Sequence, residues 1–114
     1  MPYLMIQTNR SLSPESEAAL LEAASSVVSE VLEKSEDYVM VALESKTPML
    51  FGRERTPCAY LELKSIGFPE EKAAVLASAL SDVLEHRAKV PRDRVFVTFA
   101  SHPRNLWGWN GKTF

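Results

Sequence analysis

The stretch Asp37-Tyr38-Val39-Met40-Val41 returns 56 positions later as Asp93-Arg94-Val95-Phe96-Val97. In both copies an aspartate opens a run of mostly β-branched and aromatic residues, which is typical of a strand. A helix start repeats in the same way, because Ser13-Pro14-Glu15-Ser16-Glu17 is echoed 55 positions later by Phe68-Pro69-Glu70-Glu71-Lys72. We therefore interpret the chain as two copies of one strand–helix–strand unit.

The first copy covers about residues 2–44. Residues 2–8 are apolar and predict its first strand. Ser13-Pro14 is suited to capping and opening a helix, and apolar side chains then recur at helical spacing until the helix fades near Lys34. Residues 37–43 predict the strand that closes this copy.

The second copy covers about residues 58–100. Its first strand is predicted at residues 58–66 and ends at Gly67. Residues 44–57 lie between the copies, and their proline and glycine predict a solvated loop with a short hairpin. The tail, residues 101–114, holds both tryptophans and too much glycine and proline for a helix. We expect the tail to pack against a neighbouring subunit or over a site.

Two such copies predict an α/β fold of the α+β type in a single domain, residues 1–114. The parallel crossover units give a four-stranded mixed sheet with two helices on one face. Residues 37–43 and 95–100 are apolar on both sides, so the uncovered sheet face is expected to be buried by other copies of the chain. The alternative is that the two helices lie on opposite faces of the sheet.

Composition excludes several classes of protein. The formal net charge of −2 offers no basic field for nucleic acid, and no apolar run approaches the roughly 20 residues that insert into a membrane. The single cysteine, Cys58, excludes an internal disulfide and is expected to be a buried core residue. The isolated His86 and His102 do not predict a metal site. We expect a soluble cytoplasmic protein, with export by a route without a signal peptide left open.

Pro2 stands at the start of the apolar run Met1-Pro2-Tyr3-Leu4-Met5-Ile6. This run has no basic flank and does not predict a signal peptide. If Met1 is removed, the nitrogen of Pro2 becomes a free secondary amine that can act as a base near neutral pH. The other interpretation is that Pro2 only starts a strand, where it has no N–H to donate.

In this order and spacing, several short motifs resemble the macrophage migration inhibitory factor family of the tautomerase superfamily. The resemblance runs nearly end to end. Besides Pro2, it is carried by Thr8-Asn9, Lys34 before Tyr38, Phe51-Gly52, Pro57-Cys58-Ala59, Ser65-Ile66-Gly67, Pro91-Arg92-Asp93-Arg94-Val95 and Gly108-Trp109-Asn110-Gly111-Lys112-Thr113-Phe114.

The resemblance implies a homotrimer whose sheets form a barrel-like core, with one site at each subunit interface. It also implies a cofactor-independent keto–enol tautomerase of small aromatic 2-oxo acids such as phenylpyruvate, or of dopachrome-type compounds. Some animal members are secreted signals that bind a cell-surface receptor. The alternative is therefore a trimeric, cytokine-like binding protein with a vestigial site. Decarboxylation or hydration by the same amine is disfavoured, because the additional polar groups these reactions need are not found.

Carried over residue by residue, Pro2 is the catalytic base and Lys34 binds the substrate carboxylate. The backbone N–H of Ile66 is expected to meet the substrate. Trp109 and Phe114 are expected to form apolar walls, with Met40 as a further contributor. The neighbouring bulky Trp107 is expected to narrow the mouth of the site or to extend a subunit contact. A base whose pKa is near the working pH suits a weakly acidic proton beside a carbonyl, and cations and N–H donors stabilise the developing enolate.

The sequence departs from the family pattern at two expected substrate contacts. Phe96 replaces a tyrosine and Thr98 replaces an asparagine, both expected from the adjacent subunit. A second cysteine after Cys58 is also absent, which argues against dithiol chemistry. Without the resemblance, Lys34 is an ordinary lysine at a helix end, and Trp109 with Phe114 could anchor the tail.

Overall fold

The computed structural model describes residues 1–114 as a four-stranded sheet, two helices and a short terminal hairpin. No helix is both long and apolar enough to cross a bilayer. The elements in chain order are β1 (Pro2–Thr8), α1 (Pro14–Leu32), β2 (Met40–Glu44), β3 (Ala59–Ile66), α2 (Ala73–Ala88), β4 (Val95–His102), β5 (Gly108–Trp109) and β6 (Lys112–Thr113).

Helix α1 begins as its sequence predicts. The side chain of Ser13 accepts a hydrogen bond from the backbone N–H of Ser16 at 3.1 Å, and Pro14 occupies the first turn. The helix ends at Leu32, after which Glu33 takes a left-handed φ of 55°. Helix α2 starts differently, because a 3₁₀ turn at Glu70–Lys72 leads into it without a side-chain cap.

The sheet has the order β2-β1-β3-β4. Strands β1 and β2 are parallel, as are β3 and β4, and the two pairs meet through the antiparallel contact of β1 with β3. Each parallel pair is one strand–helix–strand copy. The predicted duplication and the predicted mixed sheet are therefore confirmed.

Both helices cover the same face of the sheet. Leu4 and Ile6 of β1 and Leu61 and Leu63 of β3 are fully buried in one apolar cluster that also contains residues of α1 and α2. Burying a leucine or isoleucine side chain contributes roughly 1.5–3 kcal/mol, so this layer dominates the stability of the fold. The alternative with helices on opposite faces is wrong.

The open face of the sheet has large exposed apolar residues at its edges. Met40 on β2 and Phe96 on β4 are 65% and 59% exposed, in agreement with the prediction. The centre of the face differs, because Gln7, Glu62 and Lys64 lie there. Tyr3 and Met5 of β1 share this face, so only part of its centre is polar.

A polar network crosses the centre of this face. The hydroxyl of Tyr60 donates a hydrogen bond to Glu62 Oε2 at 3.0 Å and lies 2.9 Å from Thr98 Oγ1. Lys64 Nζ lies 3.2 Å from Glu62 Oε1. The hydrogen bonds from Lys64 and then Tyr60 lower the pKa of Glu62 below its ordinary value of 4.5.

A 3₁₀ turn precedes β2 and another precedes β4, at Glu36–Tyr38 and Arg92–Arg94. Strand β2 therefore begins at Met40, three residues later than predicted. Ser35 accepts a hydrogen bond from the backbone N–H of Asp37 at 3.2 Å, which favours the turn over an extended start. Tyr38 and Arg94 close the two turns at equivalent positions of the duplication.

Arg94 holds the loop between the two copies. Its guanidinium donates hydrogen bonds to the carbonyls of Phe51 at 2.9 Å, Thr56 at 3.1 Å and Pro57 at 3.2 Å. It also lies 4.8 Å from the centre of the Phe51 ring. Residues 52–56 are exposed, as predicted for a solvated loop, and the partly buried Arg94 fixes the backbone of this loop through its carbonyls.

Candidate active site

An aromatic pocket of about 590 Å³ opens at the corner of the sheet where β1 begins. The turn before β2 forms one side of the pocket, and the tail after β4 forms the other. Most of its lining is apolar or aromatic, as is common for small-molecule sites. The lining residues are Met1, Pro2, Tyr3, Asp37, Tyr38, Val39, Met40, Trp107, Gly108 and Trp109.

A second cavity of similar volume lies in the loop between the copies, beside Asn9 and Arg55. The side-chain amide of Asn9 is engaged by backbone groups there. It donates to the carbonyls of Arg55 and Thr56 and accepts from the N–H of Cys58. This cavity has a mostly polar lining and holds no aromatic side chain. The aromatic pocket is therefore the better candidate for the chemistry that Pro2 predicts.

Pro2 is fully buried and pairs with Ser65 at the first position of the β1–β3 ladder. Met1 precedes it in the structure, so the nitrogen of Pro2 is an amide there. The amino-terminal group at Met1 has a pKa lowered from its ordinary value of 8.0, first by desolvation and second by the charge of Lys34. The two causes are the ones expected to act on an amine at Pro2.

Lys34 lies two residues beyond the last helical residue, Leu32. Its backbone N–H donates to the carbonyl of Ser29 at 3.1 Å, and its own carbonyl accepts from the Ser29 hydroxyl. The backbone is thus fixed, whereas the ammonium group has no ion-pair partner within 4.0 Å. The charge of Lys34 is the second cause of the lowered pKa of the amino-terminal group. This effect agrees with the role predicted for Lys34 but does not test it.

Three aromatic rings form a continuous row at the pocket, which runs from the turn before β2 to the tail. Tyr38 meets Trp109 edge-on, with ring centroids 6.0 Å apart, and Trp109 stacks on Phe114 at 6.4 Å. Asn110 and Gly111 both have positive φ, which makes the tight turn that joins β5 to β6 and presents Trp109. The tail therefore packs over the site, as predicted.

Trp107 also lines the pocket. The ring of His102 meets Trp107 edge-on at 5.5 Å, and His102 Nδ1 is buried without a hydrogen-bond partner. His102 pairs with Ile66 at the end of the β3–β4 ladder, and Ile66 follows the Ser65 that pairs with Pro2. Ile66 is thus close to Pro2 in the sheet, although it does not line the pocket.

Phe96 and Thr98 are not brought to Pro2 within one chain. Phe96 of β4 pairs with Tyr60 of β3, which pairs with Gln7 of β1. Gln7 lies five residues along β1 from Pro2, and β4 lies two strands away from β1. At about 3.3 Å per residue and 4.8 Å per strand, that separation is roughly 19 Å. The ring of Phe96 stacks on Phe51 at 4.6 Å instead, and the Thr98 hydroxyl belongs to the polar network.

The sequence does not predict that Tyr3, Asp37, Tyr38, Val39 and Gly108 line the pocket. Its pattern places residues 37–39 in β2, which gives no reason to expect them at the site. A signal was present at Ser35, whose side chain can cap a turn and delay the start of a strand.

A duplicated strand–helix–strand chain with a proline at the first strand position, facing an aromatic corner, has the arrangement of a tautomerase-superfamily protein. The chain belongs to the macrophage migration inhibitory factor family, because the model of the family described as Macrophage migration inhibitory factor (MIF) matches residues 1–114.

Individual relatives agree with this assignment. A macrophage migration inhibitory factor homolog of Brugia malayi is 36% identical over 115 residues, which cover 100% of this chain and 99% of that protein. The structure of the macrophage migration inhibitory factor of Toxoplasma gondii superposes with a TM-score of 0.92 at 33% identity, covering 98% and 99% of the two chains. A third protein, solved after inactivation by 2-oxo-3-pentynoate, has a TM-score of 0.89 at 26% identity and covers 97% and 94%.

Proposed function

We propose that the chain is a cofactor-independent keto–enol tautomerase of small aromatic 2-oxo acids, of the phenylpyruvate or dopachrome type. The observation that carries this proposal is the position of Pro2, which begins β1 fully buried at the aromatic pocket. The solved relative that is inactivated by 2-oxo-3-pentynoate supports it, because that reagent is itself a 2-oxo acid.

In the proposed reaction, removal of Met1 exposes the secondary amine of Pro2. The unprotonated amine takes a proton from the carbon next to the substrate carbonyl, and the electron pair of the broken C–H bond forms the enolate. The enolate oxygen then receives a proton, which gives the enol. A base whose pKa lies near the working pH is best suited to the first step.

Lys34 and Ile66 are the residues we assign to charge stabilisation. The ammonium of Lys34 has no ion-pair partner in the chain and is available to a substrate carboxylate. The N–H of Ile66, next to the residue that pairs with Pro2, is proposed to donate to the substrate oxygen. Preorganised donors of this kind lower the barrier because charge develops on that oxygen in the transition state.

Trp109 and Phe114 are proposed to hold the aromatic ring of the substrate, with Met40 beside them. The stacked pair of rings and the adjoining Tyr38 form a continuous aromatic surface. Such surfaces bind a planar ring by burial and by edge-to-face contact. A small aromatic 2-oxo acid would place its ring against these walls and its carboxylate towards Lys34, which lies outside the pocket lining.

We further propose that three chains assemble with their open sheet faces inward. Met40 and Phe96 are large apolar residues that are more than half exposed on the edges of this face. Assembly would bring Phe96 and Thr98 of one chain to the Pro2 corner of another, which the single chain does not do. Light scattering checks this point, and a stable monomer at micromolar concentration would contradict it.

The decisive experiment combines mass spectrometry with an assay of phenylpyruvate tautomerisation. Intact mass first establishes that Met1 is absent from the natively expressed protein. Pro2→Gly, which keeps a small second residue, is expected to lower kcat/KM by at least about 100-fold, since general bases contribute at least this much. Pro48→Gly, in the exposed part of the loop, is the matched control. Retention of Met1, or equal rates for wild type and Pro2→Gly, would remove Pro2 from the mechanism.

A further inference from the structure

The cavity in the loop between the two copies, of about 590 Å³, carries a concentrated positive charge. Lys46 and Arg55 are the only charged residues in its lining, which therefore holds two cations and no acid. The chain as a whole has a formal net charge of −2, so this excess of positive charge is local. A concave surface lined by one sign of charge attracts small ions of the opposite sign.

Neither cation is neutralised by the chain. The ammonium of Lys46 and the guanidinium of Arg55 have no ion-pair partner within 4.0 Å. The nearby Glu44 is engaged elsewhere, because its carboxylate accepts from the side-chain amide of Gln7 at 3.0 Å. Glu54 neither lines the cavity nor forms an ion pair. The N–H donors of the two cations are therefore available to a ligand.

The backbone that carries the two cations is fixed at the end of β1. The N–H of Lys46 donates to the carbonyl of Arg10 at 2.9 Å, and the carbonyl of Arg55 accepts from the side-chain amide of Asn9 at 3.0 Å. Lys46 also has a φ of 55°, in the left-handed region that residues other than glycine rarely adopt. Such conformations persist where the surrounding contacts hold them, and they are common at binding sites. A fixed backbone reduces the entropy that is lost when a ligand binds.

We propose that this cavity is a binding site for a phosphate group, carried either by free phosphate or by a monoester of a small organic molecule. A phosphate monoester has a charge of about −1.5 to −2 near pH 7, which the two cations match. The guanidinium of Arg55 also fits two phosphate oxygens at once. Pro48, Met49 and Leu50 complete one side of the lining and would contact the organic part of an ester.

This site is separate from the aromatic pocket. Thr8, the last residue of β1, lies six positions after Pro2 at the start of the same strand. At about 3.3 Å per residue, the two ends of β1 are roughly 20 Å apart. The inference therefore goes beyond the proposed tautomerase function and does not depend on it.

The test is a titration of the ¹⁵N-labelled protein with phenyl phosphate, followed by NMR. The backbone amide signals of Lys46 and Arg55 are expected to shift and to saturate, because the phosphate binds between their side chains. Phenol, which lacks the phosphate, is expected to leave these signals in place. Inorganic phosphate distinguishes the two sources of the group. Equal affinity for it would assign the site to free phosphate, and weaker affinity would assign it to an ester.

A charge-matched pair of double variants checks the assignment. Lys46→Gln with Arg55→Gln removes both cations from the cavity and is expected to weaken binding of phenyl phosphate by about tenfold or more, as for charge-assisted hydrogen bonds. Arg87→Gln with Lys89→Gln removes the same two charges at the end of α2 and should bind as wild type does. All four positions are exposed, so both double variants should fold.

Two results would overturn the inference. In the first, phenyl phosphate shifts only the indole N–H signals of Trp107 and Trp109, which would place it in the aromatic pocket. In the second, the two double variants bind phenyl phosphate equally. Tautomerisation of phenylpyruvate is assayed separately, so its absence would remove the proposed function without affecting the result for phosphate.

Discussion

The edge of the Tyr38 ring meets the ring of Trp109 at an interplanar angle of 86°, with the centroids 6.0 Å apart. Tyr38 closes the turn before β2, whereas Trp109 belongs to the terminal hairpin. The contact therefore joins the first copy of the duplicated unit to the tail. It completes one wall of the pocket at which Pro2 stands.

Loss of the Tyr38 ring should weaken the binding of an aromatic substrate. Tyr38→Ala is expected to raise KM for phenylpyruvate by the equivalent of about 0.5–1.5 kcal/mol, the usual contribution of an edge-to-face pair. Tyr38→Phe keeps the ring and should retain the wild-type KM. Steady-state kinetics on both variants provides the measurement, and an unchanged KM for Tyr38→Ala would show that this wall does not contact the substrate.

Removal of the Lys34 charge should shift the pH dependence of catalysis upward. Desolvation and then the charge of Lys34 lower the pKa of the Met1 amine. The same charge is expected to act on the Pro2 amine once Met1 is removed, so its loss should favour the protonated amine and raise the pKa of that amine. In Lys34→Gln the acid limb of kcat/KM should therefore move to higher pH, in addition to an overall fall in rate. Lys89→Gln, on the second copy, is the control. The assignment would be wrong if the acid limb of Lys34→Gln coincided with that of wild type.

The ionised carboxylate of Glu62 should stabilise the fold, and this contribution to the free energy of unfolding should be lost in acid. Its pKa is lowered in the folded state by Lys64 and Tyr60, so the stabilisation is present above the ordinary value of 4.5 and is lost as pH falls through the lower folded value. Glu62→Gln should flatten this part of the stability curve. Urea denaturation between pH 6 and about pH 3 measures the effect. Glu15→Gln, a charge change outside the network, should retain the wild-type curve, and an equal slope in Glu62→Gln would contradict the prediction.

Arg94 should contribute strongly to stability through the loop that it holds. Arg94→Met removes its hydrogen bonds to the loop carbonyls and is expected to cost about 1–3 kcal/mol, as for a partly buried charged donor. Hydrogen exchange of residues 51–57 should speed up at the same time. Arg87→Met, at an exposed helical position, is the control. A loop that exchanges at the wild-type rate in Arg94→Met would show that other contacts hold it.

Local chemistry explains which parts of the fold were predictable. The cap at Ser13, the proline after it and the glycine after β3 act through their own backbone, so the bounds they predict agree with the structure. The start of β2 was not predictable in this way. Tyr38 and Val39 favour strands on average, but Ser35 caps a turn there and Trp109 holds the Tyr38 ring.

The open face shows the same limit. Glu62 and Lys64 alternate with Leu61 and Leu63, so the sequence of β3 does contain the signal for a polar face. The edge strands obscure this signal for a polar face, because they contain residues such as Met40 and Phe96 that are apolar and exposed. Pairing between strands decides which strand is central, and the sequence of a single strand does not specify its pairing.

The site was predictable in part. Pro2, Met40 and Trp109 meet in one pocket, and Phe114 stacks on the last of them. The distance of Phe96 from that pocket follows from strand order, which the residue types do not reveal. The cellular location and a receptor stay predictions, as do the trimer and the roles of the individual site residues.

Because of the duplication, the sheet has two equivalent corners, one at the start of β1 and one at the start of β3. Only the corner at β1 is open. In the second corner Ala59 occupies the position of Pro2 and is buried, and Arg94 takes the position of Tyr38 and holds the loop. One half thus forms the pocket, and the other half anchors a connection. If Pro2 is the base, a chain with two matching halves has a single reactive amine, and a reagent aimed at that amine should saturate at one equivalent per chain.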